Sequence, residues 1–220
     1  MENICLKYIN GPEVSYLFGE GYELVKCGKV DSFFNNELNN LHLGIKNILS
    51  NCYIFHLKTS KGEYYLFKSI KEETAFLSRV PNGDISANLS PLHVEFLKNI
   101  GEVIYFWGFP KNSEPFGNLA FMFLNKDTRG LGDLYQVYKE QCEAYSKKIN
   151  SFVDSLVIFA EETEGCLFLY DNQENIYMYA FENDDSYLTL MDGYPPETLY
   201  TINGVKTLSD WLIKFSKFMI

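Results

Sequence analysis

Between Ser155 and Glu182 three strand-like segments, SLVIFAE, CLFLYD and NIYMYAFE, follow one another with only a few residues between them. Glu164-Gly165 marks the first turn and Asn172-Gln173-Glu174-Asn175 the second. A parallel pair needs a crossover of a dozen residues or more, so connections this short impose an antiparallel meander. Alternation divides the residues between two faces. Leu167 and Leu169 fall on one side, and Cys166, Phe168 and Tyr170 on the other. Ile176, Met178 and Ala180 alternate in the same way with Tyr177, Tyr179 and Phe181. Both faces are therefore apolar or amphipathic. One is expected against helices, the other under the N-terminal segment or partly open.

The rest of the chain supplies helices for this sheet. Phe34, Leu38, Leu41, Ile45, Ile48 and Leu49 recur near helical spacing behind a cap at Asp31 or Ser32. Ser90 caps a helix that opens with Pro91, carries Leu92, Phe96 and Leu97, and stops at Gly101. Asp133 to Asn150 is amphipathic, with Leu134, Val137, Tyr138 and Cys142 on one side. Thr207 or Ser209 starts a last helix whose Leu208, Trp211, Leu212, Phe215 and Phe218 form one apolar face. Strands are expected at LKYI, SYLF and YELVK, in a hairpin around Ser60-Lys61-Gly62, at EVIYFWGF, in FGNLAFMFL and at TLYTI, with a short helix from Glu72 to Ser78. The class is α+β: a mostly antiparallel sheet flanked by helices and closed by a C-terminal helix. Pro81-Asn82-Gly83-Asp84 is the best boundary, so residues 1–84 form an N-terminal elaboration or small unit and residues 85–220 hold the principal core.

Charge is distributed unevenly. The formal net charge is −10. Residues 151–220 contain twelve Asp and Glu against three Lys, whereas residues 1–150 contain 17 acids and 16 bases. Direct nucleic-acid binding requires clustered Lys and Arg and is disfavoured. A basic protein partner is favoured, because a patch of one sign steers its opposite. The opening MENICLKYINGPEV has no signal-peptide pattern, and no apolar stretch reaches the ~20 residues that span a bilayer. Five scattered cysteines fit reduced thiols, so a cytoplasmic protein without a membrane segment is expected.

Chemical motifs are sparse. Asp171-Asn172-Gln173-Glu174-Asn175 departs from a calcium loop at its third position, Gln173, and at its sixth, Ile176. Three histidines and no Cys-x-x-Cys give zinc no framework. Cys52 and His56 share a strand face, as core residues do. No Gly-x-Ser-x-Gly elbow is present, and the cysteines stand among apolar neighbours. Arg129-Gly130-Leu131-Gly132-Asp133 lacks the third glycine of a dinucleotide loop and reads as a helix start capped by Asp133. No catalytic residue, metal or cofactor is expected. The candidate surface is instead a partner-binding set: Glu161, Glu162, Glu164, Tyr170, Asp171, Glu174, Tyr177, Tyr179, Glu182, Asp184 and Asp185. In it, tyrosines serve as anchors and carboxylates as the rim.

Three stretches carry a family resemblance. Leu89 to Gly101 resembles the opening helix of the SUKH (SMI1/KNR4-like) superfamily, with Ser90 intervening between the usual leucine and proline. Phe159 to Asp171 is similar to its central hairpin, with Cys166 where a small polar residue is usual, and Thr207 to Leu212 resembles its closing helix. The resemblance covers roughly residues 85 to 220. It implies a non-enzymatic domain, in bacteria often an immunity protein that neutralises a nuclease toxin. A nuclease binds phosphate through basic groups, so an acidic inhibitor suits it. The alternatives are an adaptor with an ordinary cellular partner and a hydrolase using carboxylates around Glu161 to Glu164.

Overall fold

The computed structural model describes residues 7–8, 24–29, 40–80, 85–86, 88–108, 116, 119–125, 128–181 and 186–219. Among the described residues the sheet has eleven strands: β1 (Leu24–Lys29), β2 (Cys52–Thr59), β3 (Gly62–Ser69), β4 (Ala75–Arg79), β5 (Glu102–Trp107), β6 (Leu119–Met122), β7 (Val157–Glu162), β8 (Leu167–Tyr170), β9 (Ile176–Tyr179), β10 (Leu188–Leu190) and β11 (Leu199–Ile202). Every strand pairs antiparallel with its neighbour. Their order follows the sequence except at the end, where β11 lies between β9 and the edge strand β10. Among the described residues there are four α-helices: α1 (Leu43–Asn51), α2 (Pro91–Asn99), α3 (Leu134–Ala144) and α4 (Leu208–Ser216). The protein is α+β, with its C-terminal helix on the sheet.

One face of the sheet is covered along its length by α1, α2 and α4. Trp211, Leu212 and Phe215 of α4 are fully buried there. The Trp211 ring stands edge-on to Phe159 and Phe116, each at 4.9 Å between centroids. The same apolar cluster takes Ile45, Ile48 and Leu49 from α1, Ile54 from β2, Phe67 from β3 and Phe76 from β4. Residues before 85 thus share one core with those after it. β4 pairs with β5, from Ala75 opposite Trp107 to Arg79 opposite Glu102, so the sheet continues across the expected boundary. The principal core is not confined to residues 85–220.

The helices of this layer meet closely. A Cβ on Gly44 would stand 2.7 Å from the Leu212 side chain and 2.8 Å from its carbonyl oxygen, so only glycine permits this approach of α1 to α4. Asn47 Nδ2 donates to Ser216 Oγ (3.1 Å) across the same contact.

The opposite face is covered in two patches. Tyr8, Phe55, Leu57, Tyr64, Leu66, Ala75 and Leu77 form one, at the β2–β4 end. Leu167, Leu169 and Tyr179 form the other with Tyr138 and Cys142 of α3, with Leu131, Val153 and Leu156, and with Tyr194 and Leu199. Among the described residues the second face of the meander is therefore covered rather than open. It lies beneath α3 and the short 3-10 helix Ser151–Ser155.

Local expectations fare according to how local their causes are. The hairpin stands as expected, with Gly62 at φ +145°. Ser90 accepts from His93 N, and Thr207 and Asp210 form a reciprocal capping box. The helix expected from Glu72 to Ser78 is instead strand β4. Ala75 to Ser78 are buried on both faces between two partner strands, which removes the one-sided pattern that separates helix from strand. Lys7 and Tyr8 are helical, not extended. Residues 11–20, which contain SYLF, lie outside the described residues, as do residues 31–39, while α1 is capped by His42. Asp133 precedes α3 without a side-chain cap bond, and α3 ends at Ala144.

Candidate functional site

Three helix starts converge on one cleft of about 690 Å³: His42 at α1, Ser90-Pro91 at α2 and Ser209 in the first turn of α4. The loop Asp171-Asn172-Gln173-Glu174 between β8 and β9 forms a further wall, with Glu95 of α2 beside it and Leu89, Leu92 and Val157 contributing apolar surface. Among the described residues its carboxylates are Glu95, Asp171 and Glu174, and neither Lys nor Arg lines it.

His42 holds this cleft together. Its backbone N–H donates to Glu95 Oε1 (2.7 Å), its Nδ1 accepts from Gly44 N (3.2 Å), and its Nε2 meets Ser209 Oγ at 2.8 Å. An Nδ1 that accepts leaves the proton on Nε2, so Nε2 donates to Ser209. This imidazole is oriented to give a proton to Ser209, the reverse of what a nucleophilic serine needs from a base. Burial lowers the His42 pKa, against the carboxylates of Glu95 and Glu174, which raise it. The ring is thus neutral at neutral pH.

The β8–β9 loop is ordered by Asp171. Its Oδ1 accepts from Gln173 N (2.8 Å) and Asn175 N (3.0 Å), and its Oδ2 from Asn175 Nδ2 (2.9 Å) and the Tyr177 hydroxyl (3.1 Å). Partial burial works to raise the Asp171 pKa, but these donors outweigh it and hold the carboxyl below its ordinary range. Glu174 sits at φ +62°, in the left-handed region, and its carbonyl accepts from Leu208 N at 2.8 Å. That bond latches the loop to the start of α4.

The tyrosines of the candidate surface are structural to different degrees. Tyr170 is 2% exposed, and its hydroxyl accepts from Ser90 N (3.2 Å) and meets His93 Nδ1 (3.1 Å), fastening α2 to β8. Burial pushes the pKa of His93 down to about 4, so it stays neutral. Tyr179 is fully buried beneath α3, which removes it from any exposed surface. Tyr177 is half-buried and bound to Asp171; burial and that carboxylate push its pKa up to about 12.

The three glutamates of the β7–β8 turn do not converge. Glu161 is half-buried opposite Leu167, on the α3 side of the sheet. Glu162 is 8% exposed and its backbone closes the turn with Cys166 and Gly165, while Glu164 is exposed at the tip. Adjacent strand residues point to opposite faces, so Glu161 and Glu162 cannot share an acid–base site. Glu182, Asp184 and Asp185 lie outside the described residues. Among the described residues no group of three or more His, Cys, Asp or Glu is placed to hold a metal ion, and no helix is long and apolar enough to cross a membrane.

His42, Glu95 and Ser209 escaped the sequence reading. His42 and Ser209 stand 167 residues apart, and only the packing of α1 on α4 brings them together. The sole local signal was the run of capping residues at the starts of α2 and α4. No protein-family model, curated protein or solved structure matches the chain.

Proposed function

We propose that this protein is a non-enzymatic, cytoplasmic binding protein of the SUKH immunity type, which neutralises a basic, nuclease-like toxin domain. The observation that carries this reading is the acidic cleft at the helix starts. Three carboxylates, Glu95, Asp171 and Glu174, stand around a recess whose wall, among the described residues, contains no lysine or arginine. Such a recess favours cationic side chains of a partner, and the surrounding acidic last third steers their approach. The cleft, rather than a row of exposed tyrosines, supplies the contact. Tyr170 lines it, and Tyr177 supports it through its hydrogen bond to Asp171. The diverging glutamates and the orientation of His42 toward Ser209 favour binding over the hydrolase alternative.

The test is association with a purified basic, nuclease-like toxin domain, followed by stopped flow at two salt concentrations. Glu164→Lys combined with Glu174→Lys is expected to slow association and flatten its salt dependence while the thermal melt stays in place. Association that is already insensitive to salt in the unaltered protein would sink the reading.

A further inference from the structure

A second recess, of about 400 Å³, lies on the α3 side of the sheet and holds Glu161. Its walls are mostly apolar, with Phe121, Leu124, Leu131, Leu134, Ile158 and Leu167, while Thr128, Arg129 and Asp133 also line it. Glu161 stands in its strand directly opposite Phe121 on one side and Leu167 on the other. Among the described residues its carboxylate has neither a hydrogen bond nor an ion pair. The polar groups nearby are already engaged. Thr128 Oγ1 donates to the Ile158 carbonyl (2.6 Å), and the Arg129 guanidinium donates to the Asn88 carbonyl (3.5 Å), on the side of the first cleft. Asp133 adds a second negative group at the rim. Loss of water alone raises the Glu161 pKa, with no cation acting against it.

A carboxylate set among hydrocarbon side chains gains most from a ligand that is itself a hydrocarbon ending in a charge-bearing donor. We infer that the Glu161 recess is a receptor for an aliphatic primary ammonium, the lysine side chain of a protein partner. The apolar walls receive the methylene stem, and the ammonium reaches Glu161 in a charge-assisted hydrogen bond. Lysine ends its four-carbon stem in a compact ammonium, which a carboxylate reached through an apolar recess can accept along a single hydrogen bond. The inference rests on the proposed function only in taking the lysine from a basic partner.

The experiment uses the full chain with ¹³C-labelled glutamate and n-pentylammonium chloride, against sodium chloride at equal ionic strength. The amine should produce a saturable shift of the Glu161 side-chain carbons and move their titration to lower pH, because it stabilises the charged carboxylate. Glu161→Gln should weaken amine binding about tenfold or more, while Glu143→Gln, on the exposed side of α3, leaves it unchanged. Binding by the unaltered protein should also disappear as acid protonates Glu161, a readout that needs no variant. Arg129 and Asp133 also face the recess, so the pH series is repeated with Asp133→Asn, which should retain the loss. Three results would each overturn the inference: no saturable shift, equal binding of uncharged 1-pentanol, or amine binding that survives Glu161→Gln. None of them bears on salt-dependent association with a toxin domain, and loss of that association leaves amine binding intact.

Discussion

The two ends of the sheet handle charge in different ways. Around β2 to β5, acids stand beside bases: His56 and Lys58 hold Glu63 at 2.9 and 2.8 Å, Arg79 meets Glu102 at 3.4 Å, and Lys7 approaches Glu73 at 3.6 Å. Around β7 to β11, the carboxylates of Asp171, Glu197 and Asp210 answer to backbone and neutral side chains. Asp171 collects four donors from its own turn, Asp210 closes a capping box, and Glu197 Oε2 accepts from Gln141 at 3.3 Å. A carboxylate bound by amides is stabilised without being neutralised. Ion pairs mute the field of the first end, whereas Asp171, Glu197 and Asp210 at the second are in no ion pair among the described residues. The same sheet serves as a scaffold at one end and as an electrostatic surface at the other.

The difference in charge does not imply a difference in folding. Trp211 sits in the cluster that joins β2, β3 and β4 to β7, β8 and β9. Trp211→Ala is expected to cost about 3–5 kcal/mol and to lower hydrogen-exchange protection in β3 and β8 together. Protection retained in β3 while β8 opens would divide the molecule in two and restore a boundary near residue 84.

A smaller effect is expected at the acidic end. Asp171→Ala removes the acceptor for four donors and should cost about 1–3 kcal/mol at neutral pH. The Asp171 pKa is depressed in the folded protein, so its contribution is fully present above the unfolded value of about 3.9 and is lost as pH falls through the folded value. Urea denaturation at pH 7 and pH 3 checks this. A gap between variant and unaltered protein that is equally wide at both would mean that the charge of Asp171 plays no part.

The smallest effect belongs to the paired end. The Arg79 side chain is 52% exposed in its pair with Glu102, and Arg79→Ala should cost less than about 1 kcal/mol, with the difference shrinking in high salt. A loss as large as that at Asp171 would reverse the ranking of the two ends.

Much of the fold was legible before any coordinates. The short turns at Glu164-Gly165 and at Asn172 to Asn175 imposed the meander, Ser90 and Pro91 marked one helix start, and Thr207 or Ser209 another. Each of those signals acts over three or four residues and carries its own hydrogen bond. The candidate site was legible only in part. Asp171 and Glu174 stood out as acids in a turn, and Glu161 as an acid on a strand. Their roles were not visible: Glu161 in an apolar recess, Asp171 as the hub of its loop, Glu174 latched to α4.

What the sequence determined by itself is what neighbours along the chain can decide: strand alternation, caps, turns, and an excess of negative charge in the last third. The tertiary structure alone decided that Ala75 to Arg79 extend between two strands, that α3 covers Tyr179, and that His42 reaches Ser209. Those outcomes depend on surfaces buried against partners far away in the chain. The free energy of burial follows the area two segments share, and no local pattern records which segment will share it.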